Sequence, residues 1–122
     1  MAFKVAVASL DGIHINQHFG RSDGFLIYQI EENGEYALVE ERAVSRPCGP
    51  GKHEDDALKQ AAAQLSDCSI ALVSRIGPGA EQALAAKGVK AFEIYDTIER
   101  ALQKLNRYLQ ALNDKNRKPG PV

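Results

Sequence analysis

Two short segments of the chain carry side chains that could hold a metal or an anion. The first segment, Asn16–Arg21, reads NQHFGR and places an imidazole and a guanidinium on either side of a glycine. Imidazole is a ligand for iron, zinc or copper, and the fork of donors on arginine pairs with anions. His18 and Arg21 therefore predict contact with a metal-containing or anionic ligand. The alternative is that they are an ordinary turn histidine and a solvated surface arginine.

The second segment, Arg46–His53, carries a thiol and an imidazole among glycine and proline residues. Cys48 lies without apolar neighbours and is a candidate thiolate, whereas Cys68 opens an apolar run and is expected to be buried by packing. The Cys-x4-His spacing of Cys48 and His53 is a weak metal signature, because structural zinc sites need four ligands. We therefore rank Cys48 as a secondary candidate ligand and His53 as a third.

A third segment, Ser74–Gly79, lies where a strand pattern passes into a helix pattern. Gly-rich turns of this kind expose backbone N–H groups to anions, and the carboxyl ends of parallel strands are the usual ligand edge of an α/β sheet. Arg75 and Gly77 are the candidate donors there. The spacing is not that of a phosphate-binding loop, so nucleotide binding is not predicted. A plain tight connection is the alternative.

The periodicity of apolar residues predicts the elements that position these segments. The predicted strands cover residues 3–9, 24–30, 35–42, 68–74 and 89–94, and the predicted helices cover residues 55–65, 78–86 and 97 to about 112. Asn33 and Gly34 predict a tight hairpin between the second and third strands. The order βββαβαβα predicts an α/β fold, a single domain with a mixed five-stranded sheet flanked by helices on both faces.

Two loops and a tail complete the predicted organisation. The loops over Gly12–Arg21 and Arg46–His53 carry too few apolar residues to anchor themselves, so we expect both to be more mobile than the sheet when no ligand is bound. Gly49, Pro50 and Gly51 are expected to leave the second loop without regular pairing. Residues 113–122 are polar and contain Pro119, Gly120 and Pro121, which predicts a disordered tail. The predicted domain is therefore 1–112.

The composition limits the function classes. The chain has 122 residues, of which 44% are hydrophobic, so one domain with a single core is expected. Its 15 basic and 16 acidic residues nearly balance, which argues against a surface for nucleic acid. The two cysteines form no CxxC motif, the N-terminus has no signal-peptide pattern, and no apolar run is long enough for a membrane span. We expect a cytoplasmic protein that binds neither nucleic acid nor membranes.

The NQHFGR segment and the strands on either side of it resemble the dinitrogenase iron–molybdenum cofactor biosynthesis family, which includes NifX-like carriers and the C-terminal domain of NifB proteins. Further similarity lies in Asp67–Val73, Arg75–Gly77 and Ala83–Val89, so the resemblance covers Phe3 to about Leu109. It implies a ribonuclease H-like topology and the binding of an iron–sulfur cluster or an iron–molybdenum cofactor precursor. Family members often have a cysteine pair after the third strand, where this chain has Cys48 alone.

The resemblance implies a non-enzymatic carrier that delivers its cofactor intermediate to a partner in metallocofactor assembly. The resemblance implies His18 as a residue that contacts the cluster and Cys48 as a second metal ligand, with His53 near the place of the family's second cysteine. The remaining candidate cofactor-binding residues are Asn16 in the same segment and the donors Arg21, Arg75 and Gly77, which could hydrogen-bond the sulfides or an organic anion of the cargo. Cofactor-assembly or nitrogenase-type proteins would be donor and acceptor. A permanent iron–sulfur site uses four thiolates, and two cysteines suit a transient cargo better.

Two other functions are compatible with the predicted fold to different degrees. A regulatory or protein-interaction module without a bound cluster stays open, because a fold does not determine a function. A ribonuclease H-like nuclease is disfavoured, because such enzymes hold two metal ions with several carboxylates. The first strand supplies none, and Asp11 lies in the turn beyond it. The oligomeric state is not predicted.

Overall fold

A computed structural model of the protein describes residues 3–21, 24–31, 35–43 and 54–116. Within these residues the chain forms five strands, three α-helices and one short 3-10 turn at Phe19–Arg21. The strands are β1 (Phe3–Val7), β2 (Gly24–Ile30), β3 (Tyr36–Ala43), β4 (Ile70–Val73) and β5 (Lys90–Glu93). The helices are α1 (Glu54–Gln64), α2 (Pro78–Ala86) and α3 (Ile98–Asn116).

The strands form one mixed sheet in the order β3-β2-β1-β4-β5. β2 runs antiparallel to β1 and β3, while β1, β4 and β5 run parallel to one another. The carboxyl ends of β1, β3, β4 and β5 therefore lie at one end of the sheet, which we call the carboxyl edge. The predicted mixed five-stranded sheet in a single α/β domain is confirmed.

The sheet separates two apolar cores. Helices α1 and α2 cover one face, and α3 covers the other. Along β1 the side chains alternate, so that Ala6 joins the α1–α2 core while Val5 and Val7 join the α3 core. All four residues of β4 are buried, because this central strand is covered on both faces. The continuous apolar run in the sequence predicted that position.

The hairpin between β2 and β3 is antiparallel, with Gly24 opposite Ala43 and Ile30 opposite Tyr36. This confirms the pairing that the Asn-Gly dipeptide predicted, although residues 32–34 themselves lie outside the described part of the chain. The register shifts between Ile27 and Tyr28, which places a bulge in the hairpin.

The helix ends follow local chemistry. Pro78 occupies the first turn of α2, and Gly88, with φ +78°, ends the helix where the Val89 N–H donates to the Leu84 carbonyl at 2.9 Å. Thr97 Oγ1 accepts the Arg100 N–H at 3.2 Å, as the predicted cap of α3 requires.

The last helix is longer than its apolar pattern predicted. α3 continues to Asn116, past the predicted end near residue 112, so a tail would begin no earlier than residue 117. Residues 117–122 are not among those described, and the tail stays a prediction. Among the helices that the structure describes, none is long and apolar enough to cross a membrane.

Candidate functional site at the carboxyl edge

Residues 13–19, which we call the edge segment, run across the carboxyl edge of the sheet. Toward β4, the Ser74 N–H donates to the Gln17 carbonyl at 3.0 Å, and the Phe19 N–H donates to the Arg75 carbonyl at 2.9 Å. Toward β5, the Ile15 N–H donates to the Asp96 carbonyl at 2.9 Å, and the Ile98 N–H donates to the Ile13 carbonyl at 2.8 Å. The edge segment is therefore hydrogen-bonded to the connections that follow β4 and β5.

Two apolar side chains anchor the edge segment. Ile15 is fully buried in the α3 core, and Phe19 is buried in the α1–α2 core, where its ring lies 5.8 Å from that of Phe25. The edge segment is thus anchored by side-chain packing on both faces of the sheet. The expectation that residues 12–21 carry too few apolar residues to anchor themselves is wrong, because Ile15 and Phe19 do so. The higher mobility of this loop stays a prediction.

His18 is held at this edge by its neighbours and exposes its own side chain. Its backbone forms a parallel bridge with Arg75, and the Arg75 side chain is also exposed. Gly77 follows two residues later as the N-cap of α2, without a side-chain cap. The structure thus brings together three residues that the sequence nominated from two separate segments.

The glycine at position 77 is not required by the local backbone. Its φ of −79° suits any residue, and a Cβ added there would meet no heavy atom within 4 Å. The open space beside the start of α2 therefore leaves its backbone accessible to a ligand. Gly77 can therefore be substituted to test a role in binding without disturbing the fold.

Asn16 lies in the edge segment, and its side chain stabilises the turn that precedes this segment. Its Oδ1 accepts the Leu10 N–H at 2.8 Å, and the side chain is half-buried. This oxygen is therefore already used within the protein. Arg21 is the last residue of the 3-10 turn that begins at Phe19, and its side chain is not among the described groups.

A third histidine, which the sequence argument did not nominate, lies in the same region. Asp11 Oδ1 accepts the N–H groups of Ile13 at 2.9 Å and His14 at 2.8 Å, while Asp11 Oδ2 lies 2.9 Å from His14 Nδ1. The backbone N–H of His14 and then its ring hold the pKa of Asp11 well below its usual range. The spacing Asp-x-x-His after a strand is the signal that could have indicated this pair.

The Asp11 turn is completed by a serine and a glycine. Ser9 Oγ donates to Asp11 Oδ1 at 3.2 Å and accepts the Gly12 N–H at 2.9 Å. Gly12 has φ +75°, a conformation that glycine adopts without the steric penalty of a Cβ. The turn is thus fixed by its own side chains even though it is exposed to solvent.

A cleft of about 610 Å³ opens between this turn and the ends of β2 and β3. It is lined by Ser9, Leu10, Asp11, Gly12 and Gln17 on one side and by Gly24, Phe25, Leu26, Glu41, Arg42 and Ala43 on the other. His18 does not line it, so the cleft and the exposed imidazole are separate features of the carboxyl edge. In the described ranges, no group of three or more His, Cys, Asp or Glu side chains could hold a metal ion.

Residues 1–108 of the chain match a known protein family, described as dinitrogenase iron-molybdenum cofactor. The chain belongs to the dinitrogenase iron-molybdenum cofactor family. The resemblance seen in the NQHFGR segment and its flanking strands is therefore confirmed.

Two relatives show how this family domain relates to longer proteins. The FeMo cofactor biosynthesis protein NifB of Chlorobaculum tepidum is 39% identical over 98 residues, which are 80% of this chain and 22% of the relative. NifB of Frankia alni is 40% identical over 108 residues, which are 86% of this chain and 21% of the relative. The chain thus spans about a fifth of the length of these relatives.

A solved structure shares the fold of this family member. The apo form of the orange protein from Desulfovibrio gigas is 28% identical in sequence and superposes with a TM-score of 0.61, covering 88% of each chain. A single α/β domain with this arrangement is therefore found in a related protein.

Cys48 and His53 of this family member lie outside the described residues. The chain leaves β3 at Ala43 and enters α1 at Glu54, and the carboxyl end of β3 lies at the same edge as His18. The role of both side chains as ligands stays a prediction.

Cys68 is a packing residue, as its apolar surroundings predicted. Its side chain is 3% exposed, and its Sγ lies 3.8 Å from Asp67 Oδ1. Burial, and then the nearby carboxylate of Asp67, raise the pKa of the Cys68 thiol to about 11. The thiol therefore stays protonated at neutral pH, which makes it a poor metal ligand.

Proposed function

We propose that the protein binds an iron–sulfur or iron–molybdenum cofactor intermediate and carries it to a partner during metallocofactor assembly. The placement of His18 is the observation that supports this most. The imidazole of His18 is exposed, and the next residue, Phe19, is buried. The backbone of His18 forms a bridge with Arg75, and the Phe19 N–H donates to the Arg75 carbonyl. An imidazole presented in this way can bind a metal atom of a preassembled cluster without any change in the core.

The other candidate residues fit supporting roles around such a cargo. Arg75 is exposed beside His18, and with Arg21 and the Gly77 backbone it would donate hydrogen bonds to sulfides or to an organic anion of the cargo. Asn16 would act mainly through the turn that it stabilises. Cys48 and His53 remain the second and third candidate ligands.

A weak attachment suits a carrier. One or two protein ligands can hold a cluster that brings its own sulfides, and such a site can release its cargo to a protein that offers more thiolates. We therefore propose binding rather than catalysis. The donor and acceptor would be cofactor-assembly or nitrogenase-type proteins of the cytoplasm, in the pathway for which the NifB relatives are named. The ribonuclease H-like topology stays a prediction of the family resemblance.

Anaerobic reconstitution of the full chain tests this function. Ferrous iron and sulfide are added, the protein is desalted, and iron, sulfide and the visible spectrum are measured. We expect a coloured protein with bound iron and sulfide. When an apo-protein with four cysteine ligands is added and the two proteins are then separated, the colour, iron and sulfide should be found on the acceptor. A protein that stays colourless, or that keeps its cluster in the presence of the acceptor, would contradict the carrier function.

A second candidate function is a protein-interaction module without a cluster. The exposed edge strand β3 supports it, since Leu38 is 48% and Val39 is 50% exposed, with Tyr36 beside them. Within the described part of the chain β3 pairs with β2 alone, and apolar side chains on such an edge strand are suited to contact with another protein. A protein that takes up no cluster but binds a partner, and loses that binding on Leu38→Lys, would favour the module. Tyr95→Lys, which changes an exposed residue just after β5 at the other edge of the sheet, is the matched control.

A further inference from the structure

An apolar pocket of about 230 Å³ opens between the edge strand β5 and helix α3. Its most buried lining residues are Leu72, Ala101 and Leu105, each at most 5% exposed, and the partly buried side chains of Phe92 and Ile94 lie beside them. An apolar cavity of about 150 Å³ is large enough to hold a benzene ring. The pocket can therefore accept one aromatic side chain.

An ammonium group lies toward each end of this pocket. Lys90, the first residue of β5, donates to the Tyr108 hydroxyl at 3.0 Å, and its Nζ lies 5.2 Å from the centroid of the Phe92 ring. Lys104 Nζ donates to Asp96 Oδ2, beyond the other end of β5, at 3.0 Å. Both lysines are exposed, and an ammonium has three N–H donors. Each lysine therefore keeps donors for a second acceptor.

The exposed charges on α3 beside the pocket are mainly positive. Arg100, Lys104 and Arg107 follow the i, i+4, i+7 spacing of one helix face, and all three are exposed. Glu93 also lines the pocket, but side chains alternate along a strand, and its neighbours Phe92 and Ile94 pack in the α3 core. The Glu93 side chain therefore faces the other side of the sheet, away from these cations.

The edge of β5 leaves room for an extended segment of another chain. Within the described residues, β4 is the one strand that pairs with β5. In an extended segment, side chains two positions apart point to the same face, so residues two positions before and after a central residue lie about 13 Å apart. The chain from Lys90 to Ile94 covers the same number of residues. Two such flanking residues can therefore reach the two ends of the pocket.

We propose that the pocket binds an extended segment of a partner protein, in which an acidic residue lies two positions before and two positions after an aromatic residue. The aromatic ring fills the pocket, and the two carboxylates pair with Lys90 and Lys104. This pattern does not occur in the 122 residues of the chain, which favours a different protein over a second copy. The inference goes beyond the proposed function, because the pocket contains no residue of the edge segment and needs no bound cluster.

An NMR titration of the ¹⁵N-labelled, cluster-free chain tests the proposal, with an acetylated and amidated Glu-Thr-Phe-Thr-Glu peptide as the probe. We expect shifts of the backbone amides of β5 and of α3. A peptide with alanine in place of phenylalanine should bind at least about tenfold more weakly, because it leaves the pocket empty. Equal binding of the two peptides, or no shifts in β5 and α3, would overturn the inference. Shifts of the same amides with protein concentration alone would show that a second copy covers the pocket, and would also overturn it.

The lysines are tested with Lys104→Gln and Lys90→Gln. Each variant should bind the acidic peptide about threefold more weakly, and both should bind a Gln-Thr-Phe-Thr-Gln peptide as the wild type does, because exposed ion pairs contribute modestly. Lys59→Gln, an exposed change on α1, is the matched control. An equal loss of affinity in Lys59→Gln would show unspecific charge attraction and overturn the pairing. If Lys90→Gln fails to fold, because it loses its contact with the Phe92 ring, Lys104→Gln decides the question.

Discussion

Two neighbouring residues of the NQHFGR segment, His18 and Phe19, have different roles. Phe19 is buried and donates its N–H to Arg75, so it fixes the chain. His18 is exposed and makes no contribution to either core. This separation means that changing the imidazole can alter ligand binding without altering the fold, whereas changing Phe19 would do both.

At the same scale, Cys68 provides a test that separates packing from ligation. Cys68→Ser buries a hydroxyl at a position that is 3% exposed, and we expect it to lower the free energy of unfolding by about 1–2 kcal/mol. Cys68→Ala, which buries no polar group, should cost less. Urea unfolding of both variants measures the difference. Loss of cluster uptake by Cys68→Ser with unchanged stability would show that the thiol is a ligand after all.

At the scale of the element, the loop between β1 and β2 owes its order to Asn16 and the edge segment. Asn16→Ala leaves the Leu10 N–H without its acceptor, which we expect to cost about 1 kcal/mol. Amide hydrogen exchange should become faster at Leu10 and across the Asp11 turn. Gln17→Ala is the matched control, because the Gln17 side chain makes no hydrogen bond to a described residue. Equal exchange in the two variants would contradict this role of Asn16.

Local patterns in the sequence predicted most elements but not the pairing of the edge segment. Helix α2 has its predicted bounds, Pro78–Ala86, because Pro78 and Gly88 are local signals. Strand β2 likewise has its predicted bounds, because its apolar run is bounded by turn residues. The edge segment pairs with residues near 75 and 96, far along the chain, and no periodicity reports such contacts. For the candidate site, the sequence nominated His18, Arg75 and Gly77, but a resemblance cannot show which of them lie together.

At the scale of the whole molecule, an ion-pair network around Arg42 of the edge strand β3 connects distant parts of the chain. Its Nη1 lies 2.6 Å from Asp67 Oδ1 and donates to the Gln64 carbonyl at 3.0 Å, while its Nε donates to Glu40 at 2.6 Å. The network links β3 to the end of α1 and to the turn before β4. No local pattern in the sequence indicates the contact between Arg42 and Asp67, because the two residues are 25 positions apart.

Arg42→Ala should lower the free energy of unfolding by about 1 kcal/mol at pH 7, since the pairs are partly exposed. Hydrogen bonds from Arg42 hold the pKa of Asp67 well below its ordinary value of 3.8. The folded state therefore binds fewer protons than the unfolded state, and this stabilisation is complete above that value. The stabilisation by the Arg42–Asp67 pair declines as the pH falls from 3.8 toward the lowered pKa of Asp67 in the folded state.

Urea unfolding of wild type and Arg42→Ala at pH 7, 5, 3 and 2 measures this dependence. The difference between the two proteins should be constant from pH 7 to 5 and should shrink at pH 3 and 2. Lys59→Ala, an exposed change on α1, should show no such trend. A difference that is independent of pH would show that Arg42 stabilises the protein by packing alone.

The affinity of His18→Ala for a reconstituted iron–sulfur cluster tests the carrier function most directly. Lys87→Ala, an exposed change just after α2 at the opposite end of the sheet, is the control. We expect His18→Ala to bind the cluster at least about tenfold more weakly than wild type and Lys87→Ala, with the same melting temperature, because it removes a ligand and no core contact. Equal affinity in all three proteins would contradict the assignment of His18. A large fall in the melting temperature of His18→Ala would show instead that this histidine is structural.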